Sequence, residues 1–257
     1  MAIHSTALID PRAEIHGEAE IGPYVVIDGS VKVGAGTRIM SHAHVTGWTE
    51  IGAENEIHAG VALGGAPQDL AYQGEKSFLR IGSHNIIREH VQVHRGTGAG
   101  SATVIGNHNF LMASSHVGHN CKLGDYVLLV NGALLAGHVQ VEDRAIISGN
   151  CVVHQFVRVG TLSLMRGLSG TSRDVPPYAV VDWQHQVRAV NVVGLKRAGF
   201  DDKRIRAIKE AFRILFRKGR NLTLAIEELE AKGELSPDVA ALLDFIRSSK
   251  RGVCCGG

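Results

Sequence analysis

Cysteine is scarce in this 257-residue chain, and its four copies form no paired framework. That excludes a disulfide-stapled secreted scaffold and points to a reducing compartment. No apolar run approaches the ~18 residues of a membrane span. The opening MAIHSTALID lacks the basic-then-apolar order of a secretion signal. A surplus of charge is also missing: 27 Lys and Arg face 25 Asp and Glu, a net +2 at pH 7. Such a balance argues against general nucleic-acid binding, although Lys196, Arg197, Lys203, Arg204, Arg206 and Lys209 gather positive charge late in the chain. The expectation is a cytoplasmic protein with no membrane span and no nucleic-acid partner.

What the chain does have is a six-residue register. Stepping by six from Ile3 gives Ile9, Ile15, Ile21, Ile27, Val33 and so on to Met165, interrupted only by Asp69, Glu75 and Ala99. A second column, four residues after each aliphatic, is mostly small: Ala7, Ala13, Ala19, then Cys121, Ala133 and Cys151, with Asn55, Asn85 and Asn109 as polar exceptions. Neither a 3.6-residue helical period nor simple alternation produces this pattern. It is the mark of a hexapeptide-repeat parallel β-helix, a triangular prism with three hexads per coil and coils ~4.8 Å apart. Glycines at Gly22, Gly34, Gly52, Gly82, Gly106, Gly124 and Gly160 are expected to supply the unusual backbone conformations of corners.

Two stretches replace expected hexads and read as projecting loops, 64–78 and 97–103. The repeat is expected to fill 1–172, because DVPPYAVV follows and Pro176-Pro177 continues neither a helix nor a central strand. Residues 173–193 then form a connector and 194–257 a helical domain. The helical domain contains an amphipathic run with Ile205, Ile208, Phe212, Leu215 and Phe216 on one face, then helices over 222–231 and 238–248. Ser236-Pro237 is the start signal of the last helix. The RGVCCGG tail reads as frayed.

The candidate chemistry lies in the histidines. His94, His116, His119, His138 and His154 cluster in the later repeats, and none sits in the aliphatic column. Eighteen-residue spacing stacks His119, Gly137 and Gln155 on successive coils, with His138 alongside. An imidazole beside an unobstructed backbone N–H can take a proton from a hydroxyl while the N–H receives a developing oxyanion. For any one histidine taken alone, an ordinary solvent-facing side chain is the better explanation, and it is the stacked column that argues for chemistry.

At these residues the chain resembles a known family. SSHVGHNCKLGD, LLAGHVQVED, VVHQFVRVG, APQDLAY, VQVHRGT and LKRAGF are similar to motifs of the acyl-ACP:UDP-N-acetylglucosamine O-acyltransferases that begin lipid A synthesis. The resemblance implies a left-handed β-helix, a homotrimer, and transfer of an (R)-3-hydroxyacyl group from acyl carrier protein to the sugar 3-hydroxyl. It implies His119 as general base, Gly137 as oxyanion donor, and Asp69 with Gln68 near the reacting hydroxyl. His94, His116, His138 and Gln155 become sugar and phosphate contacts, Asn191 and Arg197 nucleotide contacts, and Gly167 the end of the acyl groove. An activated thioester needs no metal or redox cofactor.

Three positions depart from the family pattern. Asn120 stands where an aspartate commonly follows the base, Ala71 replaces a loop lysine, and Val193 replaces an acidic residue after Asn191. They leave open an acceptor bearing a 3-amino group. The γ-class carbonic anhydrases, with a histidine-held zinc on the same scaffold, are a rival reading. Their paired histidines lie five apart, and five residues before His119 stands Ser114. A non-catalytic trimeric scaffold is the third reading.

Overall fold

The computed structural model describes residues 2–216, 219 and 221–256. Met1 and Gly257, the outer limits of the expected domains, lie outside these, as do Arg217 and Lys218 of the expected amphipathic run.

Short parallel strands stack into the three faces of a left-handed prism. Phe110–Leu111, Leu128–Leu129, Ile146–Ile147 and Leu164–Met165 belong to the first face. His116–Val117, Leu134–Leu135 and Val152–Val153 belong to the second. Lys122–Leu123, Gln140–Val141 and Arg158–Val159 belong to the third. In each pair the second residue points inward, so Leu129, Leu135, Ile147, Val153 and Val159 are fully buried. Burying an aliphatic side chain in this way contributes about 1.5–3 kcal/mol.

Both loops are whole-hexad insertions. Ile51 pairs with Ile81, thirty residues on and twelve more than one coil. Ile81 pairs with Ile105, twenty-four on and six more. The hexad phase therefore survives each loop, and the aliphatic column faces inward on both sides of it.

Corner conformation differs from expectation. Positive φ falls at the residue three after most inward aliphatics, and non-glycine side chains mostly occupy it: Tyr24, His42, His84, His108, Asn120, Tyr126, His138, Phe156 and others, all near +60°. The glycines at 34, 52, 82, 106 and 124 are needed for a different reason. A Cβ on Gly34 would lie 2.6 Å from the backbone of Gly52, and one on Gly52 2.6 Å from Gly82. They permit close stacking of coils and do not supply left-handed backbone.

The polar exceptions form an internal ladder. Asn55 Oδ1 accepts from the Asn85 N–H and Nδ2, and Asn85 Oδ1 accepts from the Asn109 N–H, each at 2.9 Å. Asn109 Oδ1 closes the ladder on the Val127 N–H at 2.7 Å. Buried amides are tolerated here because their oxygens satisfy backbone donors where coils meet.

The solenoid continues past the expected end at Ser172. Residues Ala179–Asp182 pair in parallel with Leu164–Met165, then fold back antiparallel on Gln186–Val190. This hairpin occupies most of the expected connector and covers the open end of the prism. Among the described residues four helices follow: α1 (Val192–Arg197), α2 (Asp202–Leu215), α3 (Leu222–Glu230) and α4 (Pro237–Arg247). Ile205, Ile208, Phe212 and Leu215 of α2 are buried as the spacing predicts, while Phe216 is the C-cap. Ser236 caps α4, with Pro237 at its first position. The tail is not frayed. Cys254 is buried and Cys255–Gly256 pairs with Gln186–Val187, because the hairpin leaves an unpaired edge that the tail fills.

Candidate active site

Repeat geometry places His119 and Gly137 one above the other at the corner between the second and third faces. Among the described residues the Gly137 N–H has no hydrogen-bond partner. A Cβ added to Gly137 would collide with the His119 ring. Only glycine leaves the imidazole room at this point.

Loop 64–78 brings a carboxylate to the same point. Asp69 Oδ2 lies 3.8 Å from His119 Nε2. The Ala71 N–H donates to Asp69 Oδ1 at 3.0 Å, and this bond, more than the nearby imidazole, holds the Asp69 carboxyl below its usual range. Arg95 fixes the loop itself. Its guanidinium donates to the Gly64 carbonyl (2.7 Å) and the Tyr72 hydroxyl (2.6 Å), and lies against the Trp48 and Tyr72 rings. Glu75 ties this loop to the next, accepting from the Gly98 N–H at 2.8 Å.

His94, His116, Gln68 and Gln155 line one groove with His119 and Gly137, floored by Leu134, Leu135, Ala136 and Val152. His94 Nδ1 contacts the Ala66 carbonyl at 2.8 Å, so Nδ1 carries the proton. Its Nε2 is buried without a partner and remains an acceptor. Burial pushes the His94, His116 and His138 pKa values down, keeping these rings neutral near pH 7.

His138 stands on the other side of the corner. Its ring meets His119 edge-on at 5.2 Å and stacks on Phe156 at 4.6 Å. It lines a separate groove on the third face with Lys122, Arg158 and Arg251. His154 contacts Arg251 at 3.3 Å and stays apart from the cluster around His119.

Asn191 and Arg197 are not brought to His119 within one chain. They line a groove on the first face with Tyr126, Leu128, Arg144, Ile146 and Val193. Asn191 is buried as the N-cap of α1: its Oδ1 accepts from the Gly194 N–H (3.0 Å), and its Nδ2 donates to the Leu162 carbonyl (2.8 Å). Gly167 is exposed at the corner between the first and second faces, and a Cβ there would meet only the Gly149 carbonyl, at 3.5 Å.

The residue reading missed Arg95, Tyr126, Arg144 and the threonines of loop 97–103. Arg144 over Tyr126 (4.4 Å) extends a ring stack running through His108 to His84. The recurrence of aromatic residues at the positive-φ position was the available signal.

Cys121 and Cys151 are buried in the small column and donate to the Ala136 and Arg166 carbonyls. Burial pushes the Cys121 thiol up to about 12, which suits packing and not nucleophilic chemistry. No group of three His, Cys, Asp or Glu residues among those described is placed to hold a metal ion, and no described helix is long and apolar enough to cross a membrane.

An imidazole beside a backbone N–H free of partners among the described residues, on a hexapeptide-repeat prism with a helical cap, has the make-up of an acyltransferase-type site. The family profile described as UDP-N-acetylglucosamine O-acyltransferase, domain 2, matches residues 174–254, and the bacterial transferase hexapeptide profile matches 102–137. The acyl-[acyl-carrier-protein]–UDP-N-acetylglucosamine O-acyltransferases of Halorhodospira halophila and Thermodesulfovibrio yellowstonii are 47% and 45% identical to this chain, each alignment covering 98% of both sequences. Among solved structures, the UDP-N-acetylglucosamine acyltransferase of Francisella novicida is 37% identical with a TM-score of 0.93, covering 98% of this chain and 94% of that one. That of Bacteroides fragilis is 38% identical with a TM-score of 0.93, covering 98% and 99%. The chain belongs to the UDP-N-acetylglucosamine O-acyltransferase family.

Proposed function

We propose that this enzyme moves an (R)-3-hydroxyacyl group from acyl carrier protein to the 3-hydroxyl of UDP-N-acetylglucosamine, opening lipid A synthesis in the cytoplasm. The observation that carries the reading is the His119 ring packed against Gly137, whose N–H is free among the described residues, with Asp69 Oδ2 3.8 Å from His119 Nε2. His119 Nε2 takes the hydroxyl proton as the oxygen attacks the thioester carbonyl. The Gly137 N–H receives the oxyanion, and collapse of the tetrahedral intermediate expels the carrier thiolate, which recovers the proton. Asp69 stabilises the imidazolium while it exists. Positioning an already activated thioester needs no metal or redox cofactor for this step.

Gln68, His94, His116 and Gln155 are the acceptor-side contacts in this reading, with His138 toward the phosphates. Asn191 and Arg197 serve the nucleotide from a neighbouring subunit, since their groove is on a different face of the prism. A homotrimer joins these half-sites, and Leu70, fully exposed at the tip of loop 64–78, would reach across the boundary. Exposed Leu134 and Val152 on the second face are consistent with a covered wall. Light scattering of the purified protein is expected to give three times the chain mass; a stable monomer with full activity would contradict the shared site.

The acceptor is tested by assaying UDP-N-acetylglucosamine and its 3-amino analogue side by side with the same acyl carrier. Turnover of the hydroxyl sugar is expected, and turnover of the amine alone would overturn the reading. Gly167 is proposed to leave the far end of the acyl groove open to a long chain. Each buried methylene contributes about 0.8 kcal/mol, so Gly167→Met is expected to shift preference toward shorter donors. The Cβ of the new residue would meet only the Gly149 carbonyl, at 3.5 Å, and an unchanged chain-length profile would place the limit elsewhere.

A further inference from the structure

We infer that Asn120 is a positioning residue that locks His119 in the tautomer with the proton on Nδ1, and that loop 97–103 is shaped for an amide at position 120. The inference deepens the reading of His119 as base and rests on it for its kinetic consequence only.

The orientation of the Asn120 side chain follows from groups whose roles are fixed. The Thr97 N–H can only donate, and Asn120 Oδ1 accepts from it at 2.8 Å. The Thr97 carbonyl can only accept, and Asn120 Nδ2 donates to it at 3.3 Å. His119 Nδ1 lies 2.8 Å from the same Oδ1. An oxygen with no hydrogen requires that Nδ1 be the donor, so Nε2 carries the lone pair a base needs. Asn120 itself is held at φ +60°, a region asparagine tolerates better than most residues, with its N–H donating to Thr103 Oγ1 at 2.8 Å.

Aspartate fits this socket less well. It can serve the Thr97 N–H and the His119 Nδ1–H, but its second oxygen then faces the Thr97 carbonyl where an N–H₂ now stands. The loop has little freedom to turn that carbonyl away. Ser101 Oγ also donates to it at 2.7 Å, the Gly98 N–H is held by Glu75, and the Gly100 N–H donates to the Lys76 carbonyl at 2.8 Å. The charged and titratable groups around His119 are Asp69 from loop 64–78, His138 from the next coil and His94 from the preceding coil. The imidazolium therefore meets one carboxylate, at Nε2 and not at Nδ1.

Nitrogen-15 NMR of the protein with ¹⁵N-histidine, without substrate, reads the tautomer directly at pH 7.5. The expected result is a protonated Nδ1 and a bare Nε2 at His119; the opposite tautomer overturns the proposal whether or not the enzyme turns over. Asn120→Ala is expected to lower kcat up to about a hundredfold through a misplaced ring, with little change in KM and loss of the single tautomer. Asn120→Asp is expected to restore the tautomer, since its carboxylate oxygen can still accept from the Nδ1–H. Wild-type kcat with an unchanged His119 spectrum in Asn120→Ala, or a mixed tautomer in Asn120→Asp, would refute the positioning role.

Discussion

Replacing His119 with alanine is expected to lower acyl transfer at least ~10²–10⁴-fold, the range for loss of a general base. The fold should persist. The ring lies outside the aliphatic column, and its packing partners are the His138 edge and the polar groups of the two loops. Circular dichroism and elution volume should match the parent, so the loss reads as chemistry. Because Nε2 acts only as the hydroxyl is deprotonated, the defect should appear in kcat more than in KM. Turnover near the parent rate would remove His119 from the mechanism.

Gly137→Ala carries the next largest effect, about 10²–10³ in kcat, the size expected when base and oxyanion donor lose their mutual geometry. The backbone N–H is still present in this variant. What changes is that a Cβ now occupies the space of the imidazole, which must rotate away from Nε2–Asp69 geometry and from the free donor together. The displaced atoms belong to a side chain and not to the next coil, so the solenoid should still form. Retention of kcat within twofold of the parent would mean that the imidazole does not need its present place against Gly137.

The prism was legible because its period is set by covalent geometry: one inward residue per hexad, repeated until the aliphatics ran out near Met165. The stacked His119 and Gly137 were legible by the same arithmetic. Corner conformation was not, since the glycines that looked like corner residues serve close coil packing, and the left-handed positions carry His, Asn, Tyr and Phe. The family resemblance supplied the roles of Asp69, Asn191 and Gly167, which spacing alone did not give. It did not reveal that Asn191 is occupied as a helix cap.

The sequence by itself determined the repeat, the two loop positions, the helical cap and the column that holds the imidazole over a bare backbone, because each is a matter of residue spacing within one strand or one coil. Tertiary structure decided the rest. The hairpin over 179–190 and the paired Cys255 tail arise only where the last coil leaves an edge to be covered. The contact of Asp69 with His119 depends on Arg95 and Glu75 reaching between loops, and the His119 tautomer on a carbonyl and an N–H of Thr97, twenty-three residues before Asn120 in the chain. Backbone groups leave no mark in residue identity, so only folding shows which way they point.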